Sequence, residues 1–260
     1  MTVMDKTINY KEIKINYSNN MIALRKNFPD IDHYQLEKLI EHSMCTNLMV
    51  SMDILLNWIK EMVAKFHSEI MEISLNELKN WNIDGKRIYH DTGKFFEIIG
   101  LNITSNFDRE VSTNWSQPIL KESNFDGGLL GLLRTYISGL PHYLIQLKFE
   151  PGNYGSLQLS PTLQATFSNI NQAHGGRKPH YYELFRDYNQ NDSAYKFKSW
   201  LAEDGGRLFK KRNLGLVKQV DYKNITIVDE TYNWVSLYQI KKLMESDAIV
   251  NPHLARLIFL

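Results

Sequence analysis

The stretch HYLIQLKFEPGNYGSLQLSPTLQATFSN, residues 142–169, decides how the chain is read. Two runs rich in Leu, Ile, Tyr and Phe flank a Pro-Gly-Asn turn, the signature of paired antiparallel strands. In the first run one parity carries Tyr143, Ile145, Leu147 and Phe149. The other carries His142, Gln146, Lys148 and Glu150, with Leu144 as its one apolar member. In the second run Gln158, Ser160, Thr162, Gln164, Thr166 and Ser168 share a parity. Alternation alone describes any antiparallel sheet with one wet face. Composition points further, because wet faces are rich in charge, whereas this one is dominated by neutral Gln, Ser and Thr, groups suited to directed hydrogen bonding in a confined space. Lys148 and Glu150 fall together beside the turn, so the polar floor carries an acid, an ammonium and an imidazole. Such a floor suits a sugar or a nucleotide.

Outward from this hairpin, KFFEIIGLNI (94–103), LLGLLRTYI (129–137) and NITIV (224–228) read as further strands, bounded by Gly, Asn, Asp and Pro. Helical patterns lie on either side. Asp30 is placed to cap a helix with Ile31, Leu36, Leu39 and Ile40 at helical spacing. Ser51 is placed to cap a second, with Leu55, Trp58, Ile59, Met62, Val63 and Phe66 as its stripe. Ser74 and Glu77 form a capping box that opens a short third helix over 74–81. Helical signals return at 181–188, 199–212 and 236–246. Strands grouped mid-chain with helices before and after predict an α+β layer structure. The expected organisation is an irregular, Asn/Lys/Tyr-rich arm over 1–29 and a single domain over 30–260, with a helical lead-in at 30–81 and a sheet-containing core at 87–260.

The chain's 260 residues include 30 basic and 29 acidic ones, a formal charge of +1, which points to neither nucleic acid nor an anionic membrane as a partner. No apolar window is long enough to span a bilayer and no secretory pattern opens the chain, so the expectation is a soluble, cytoplasmic protein. Its one cysteine, Cys45, falls in an apolar helical context and reads as a small hydrophobe. Gly-x-Gly-x-x-Gly, the phosphate-binding P-loop and Gly-x-Ser-x-Gly are all absent. The eight histidines do not pair at metal-ligand spacing, so no metal site is expected. Three weaker signals remain. Trp115 and Gln117 combine a stacking ring with a carboxamide. Arg207 and Arg212, in a basic run, and Arg177, in the Gly-rich loop HGGRKPH (174–180), are suited to a diphosphate.

Taken in order, HDTGKFFEIIGL (90–101), WSQPIL (115–120), GLPHYLIQLKFEPGNYGSLQLSPTLQATFSN (139–169), EDGGRLFKKRN (203–213), YNWVSLYQIKKLM (232–244) and VNPHLARLIF (250–259) resemble the NDP-hexose 2,3-dehydratase family. The resemblance covers roughly residues 50–260. It implies a Nudix-like mixed β-sheet flanked by helices. It also implies a nucleotide-linked 4-keto-6-deoxyhexose substrate, usually carried on dTDP, and loss of water across C2 and C3 without a cofactor. Members carry two tandem copies of the domain, whereas this chain has one, which implies a homodimer that rebuilds the pair. The Nudix box that holds catalytic magnesium is absent, which disfavours pyrophosphate hydrolysis.

For such an elimination the hairpin offers His142 or Glu150 as base or acid and Lys148 as donor to the enolate. Gln146, Gln158, Ser160, Thr162 and Gln164 are available for the sugar hydroxyls. The residues leave His142 and Glu150 open as the base. Imidazole titrates near working pH, and Lys148 beside Glu150 favours its ionised form, so His142 is preferred. A non-catalytic nucleotide-sugar-binding or scaffold protein is the alternative.

Overall fold

The computed structural model describes residues 10–43, 51–106, 114–122, 127–172, 175–190 and 192–259. Cys45 and His174 lie outside these residues. The chain opens with three helices, α1 (Tyr10–Asn27), α2 (His33–Ser43) and α3 (Met52–Lys65). The segment 1–29 was expected to be irregular, yet most of it is α1. Its Asn and Lys residues conceal a narrow stripe of Ile13, Tyr17, Met21 and Leu24 at spacings of four, four and three, which packs with Ile40 and Leu140. For α2 the cap is Asp32, whose carboxylate accepts from Tyr34 N at 2.8 Å, and not Asp30. Ser51 caps α3 as expected, accepting from Ile54 N, and Leu55, Ile59 and Met62 are its buried stripe. The Ser74–Glu77 capping box forms around a single 3-10 turn, Leu75–Glu77, so the third helix is shorter than its pattern predicts.

Strands begin at Trp81, earlier than expected. A hairpin of β1 (Trp81–Asp84) and β2 (Arg87–His90) continues into β3 (Phe96–Thr104) and β4 (Asn114–Glu122), a four-stranded antiparallel sheet in sequential order. A second, seven-stranded sheet holds β5 (Gly128–Ile137), β6 (Leu140–Phe149), β7 (Leu157–Pro161) and β8 (Leu163–Thr166). Short helices α4 (Phe167–Ile170) and α5 (Tyr182–Phe185) follow, then β9 (Tyr195–Ala202), β10 (Arg212–Gln219) and β11 (Tyr232–Val235), and finally α6 (Leu237–Met244) and α7 (Pro252–Ile258). The helix expected over 199–212 is instead the end of β9, a turn and the start of β10. Asp204 accepts from Gly206 N at 2.8 Å and closes that turn. The strand expected at 224–228 is also absent, because Asp221 caps a 3-10 turn over Tyr222–Asn224.

The order of the larger sheet is β11-β6-β5-β10-β9, and β10 runs parallel to β5, so the fold is mixed α and β with a mixed sheet. One face of the sheet packs on α3, α6 and α7 through Leu130, Leu132, Ile145 and Leu147. The other packs Leu129, Leu133, Leu144 and Leu163 against Ile170 and Phe185. Gly131 is required there, since a Cβ would sit 2.7 Å from the Phe185 ring.

The feature that positions the site is a fork. From Leu133 and Leu144 to Ile137 and Leu140, β5 and β6 pair as a hairpin; beyond that point they part, β6 pairing with β7 and β5 with β8. Thr162 sits at the apex, fully buried. Its hydroxyl accepts from Leu133 N at 2.9 Å and donates to Leu144 O, closing the two ladders where they diverge.

Candidate active site

A cavity of about 270 Å³ opens beside this fork. Gln146 and Lys148 of β6 and Leu163 and Ala165 of β8 form its floor, Tyr232 of β11 one wall, and the loop carrying Gly176, Arg177, Pro179 and His180 its rim. Register explains the meeting: Gln146 lies opposite Tyr232 on one side and Ser160 on the other, while Lys148 lies opposite Gln158. The Lys148 ammonium is 2.8 Å from Glu150 Oε1 and donates to Gln164 O at 2.9 Å. Gln164 Nε2 donates to the same Glu150 oxygen at 3.3 Å. An ammonium held by a carboxylate and a carbonyl at a cavity floor is a fixed positive charge, able to stabilise negative charge on a bound oxygen. His180 stands edge-on to the Tyr232 ring, their centroids 6.5 Å apart. Burial raises the pKa of the Tyr232 hydroxyl, which therefore stays protonated. Among the described residues no group of three His, Cys, Asp or Glu side chains gathers as a metal site.

His142 is not at this cavity. It shares a parity with Gln146 and Lys148 but lies six residues along β6 from Lys148, roughly 20 Å in an extended strand. There it is 1% exposed, with Nδ1 against Leu140 O at 2.9 Å and Nε2 without a partner. Burial lowers its pKa to about 4, and the charge of Arg134 acts in the same direction. The expected base is thus a neutral core histidine without access to the cavity.

The second strand also departs from its expected face. Leu159 and Leu163 share a parity, yet Leu159 packs with the α7 side and Leu163 with the opposite side. The corner at Thr162 shifts the phase between them. Of the five expected hydroxyl-binding residues, Gln146, Thr162 and Gln164 reach the cavity wall. Gln158 instead donates to Ala248 O at 2.7 Å, and the buried Ser160 accepts from Asn251. Trp115 and Gln117 belong to the other sheet, where the indole donates to the Gln117 carbonyl at 2.9 Å and the Gln117 amide to Gly206 O at 2.8 Å. Arg207 pairs with Asp204, and Arg212 lies over the Trp200 ring at 4.2 Å. Of the three arginines, Arg177 alone lines the cavity.

Residues 52–259, which include every part of the cavity, match the family described as NDP-hexose 2,3-dehydratase. The chain belongs to that family. Similar proteins include the dTDP-4-dehydro-6-deoxy-alpha-D-glucopyranose 2,3-dehydratases of Saccharopolyspora spinosa and Streptomyces violaceoruber. The first is 33% identical over 196 residues, 75% of this chain and 39% of that protein. The second is 33% identical over 198 residues, 75% of this chain and 43% of that protein. The matched part of this member of the NDP-hexose 2,3-dehydratase family therefore covers less than half the length of these relatives. No helix among its described residues is long and apolar enough to cross a membrane.

The sequence reading of this dehydratase-family chain missed His180 and Tyr232. His180 closes the HGGRKPH loop that also carries Arg177, and Tyr232 opens the stretch YNWV. What could not be read was that β11 would pair with β6 and bring Tyr232 beside Gln146.

Proposed function

We propose that this chain removes water across C2 and C3 of a nucleotide-linked 4-keto-6-deoxyhexose, with dTDP as the carrier, in deoxysugar biosynthesis. The observation that carries this reading is the Lys148 ammonium, locked by Glu150 and Gln164, facing a cavity whose rim holds an imidazole. The relatives' names support the substrate class. At about 270 Å³ the cavity lies near the low end, roughly 300 Å³, of ligand sites. That size suits a sugar ring, with the diphosphate outside, toward the exposed Arg177.

The ketone at C4 acidifies the hydrogen on C3. His180 takes that proton, and the electron pair of the C3–H bond moves into the enolate, whose oxygen on C4 is stabilised by Lys148. Collapse of the enolate restores the C4 carbonyl, forms the C2–C3 double bond and expels the C2 hydroxyl, which leaves as water with the proton that His180 returns. The product is an enol that tautomerises to a 3,4-diketo sugar. No electrons enter or leave, so the sequence balances without an oxidant or reductant. Positioned proton transfer contributes roughly 10²–10⁴-fold, and an oxyanion donor about 3–4 kcal/mol. In this assignment His180 takes the role expected of His142, and Glu150 fixes the ammonium.

A Nudix-like fold is part of the proposal, supported by the mixed sheet, its parallel β5/β10 pair and helices on both faces. So is a homodimer, which the resemblance to a family with paired domain copies implies. Incubation with dTDP-4-keto-6-deoxyglucose followed by mass spectrometry tests the reaction. A product lighter by one water supports it; unchanged mass under conditions where the nucleotide sugar binds would leave a binding protein without this activity.

A further inference from the structure

The ammonium at the cavity floor is anchored from the far side of the sheet. Asn251 precedes α7 and is 4% exposed, and its Oδ1 accepts from Leu254 N at 2.9 Å as the helix cap. With the oxygen committed to the cap, the amide nitrogen faces the sheet, donating to Ser160 Oγ and to Gln164 Oε1, both at 2.9 Å. That contact fixes which way the Gln164 amide points, because a carboxamide offers one accepting and one donating end. Its oxygen faces Asn251, so its nitrogen faces Glu150 Oε1, at 3.3 Å. Glu150 in turn holds Lys148 at 2.8 Å. The polarity of every hydrogen bond along this line follows from one helix cap.

We propose that Asn251 is a positioning residue for the elimination, fixing through Gln164 the orientation of Glu150 and hence the Lys148 ammonium. The inference rests on the reading that Lys148 faces the substrate. Neither Asn251 nor the Glu150 carboxylate is among the groups lining the cavity, so the effect is transmitted and not a contact.

The experiment separates capping from positioning. Asn251→Asp and Asn251→Ser both retain a good helix cap, so the fold should survive. Both remove the donating nitrogen. Aspartate turns an accepting oxygen toward Gln164 Oε1, and serine is too short to reach it, so in each case Glu150 loses its oriented partner. Steady-state kinetics on a 4-keto-6-deoxyhexose nucleotide should show kcat reduced roughly 10- to 100-fold in both variants, the cost of misplacing a group from outside the reacting shell. KM should change less than kcat, because of the lining residues only Gln164 and Lys148 are displaced, and the melting temperature should be nearly unchanged. A wild-type kcat in either variant overturns the inference, as does a loss of kcat that merely tracks loss of folded protein. Wild-type enzyme that fails to release water overturns the reading of the site itself and this inference with it, and is recognised because the unsubstituted chain is then inactive too.

Discussion

Two imidazoles with the same chemistry meet opposite surroundings in this molecule. His180 stands exposed at the cavity rim, whereas His142 is buried with one nitrogen unpartnered. Its pKa falls from 6.5 to about 4 in the folded chain. Between those values the unfolded chain binds the extra proton, so stability rises with pH across the window. The contribution is complete above about pH 6.5 and is lost as pH falls through 4, a total of about 3 kcal/mol. Urea unfolding at pH 7 and pH 4 should therefore show wild type losing about 3 kcal/mol more than His142→Leu; equal losses would contradict the buried, neutral assignment. Parity made Gln146 and Lys148 legible in the sequence, since one side of β6 faces the cavity along that half of the strand. Parity carries no information about distance along a strand, so it does not show that His142 is buried away from the cavity. Arg207 and Arg212 do not line the cavity and are engaged by Asp204 and the Trp200 ring, partners that composition does not show.

Elements with strong caps and wide apolar stripes were readable from sequence. For α3 the Ser51 cap and the Leu55–Ile59–Met62 stripe suffice, and for α6 a Ser236–Gln239 capping box does the same. Helix α2 was harder, because its buried face is charged. Arg134 of β5 is fully buried and places one guanidinium nitrogen 2.8 Å from Glu41 and 3.1 Å from Glu37, while the Tyr143 hydroxyl donates to Glu41 at 2.6 Å. Glu37 and Glu41 look like a solvated face until that arginine is known. Leu39, at helical spacing with Leu36, is 54% exposed. Tertiary pairing likewise overrode local pattern at 199–212, where β9 runs antiparallel to β10 and Ser199–Ala202 lie opposite Arg212–Gly215. The second strand of the opening hairpin shows the same limit. Its alternation was legible, but Pro161 and Thr162 break it into β7 and β8, and nothing local announces that these will straddle a fork.

At the scale of the whole molecule, the polar stretch expected over residues 142–169 lines the cavity through Gln146, Lys148, Thr162 and Gln164, and the proposed homodimer is read from its mass in solution. If one copy of the domain needs a partner to complete the site, sedimentation equilibrium at micromolar protein should give twice the chain mass; a monomer across that range would contradict the homodimer. The proposed elimination depends on Lys148 as the group that stabilises developing charge on the substrate. Lys148→Met keeps the length and apolar stem of the side chain while removing its charge. The rate of water loss from dTDP-4-keto-6-deoxyglucose, followed by mass spectrometry on wild type and Lys148→Met side by side, tests this most directly. A fall of about 10²–10³-fold with the melting temperature preserved is expected; a variant within twofold of wild type would show that the elimination takes place elsewhere or without this residue.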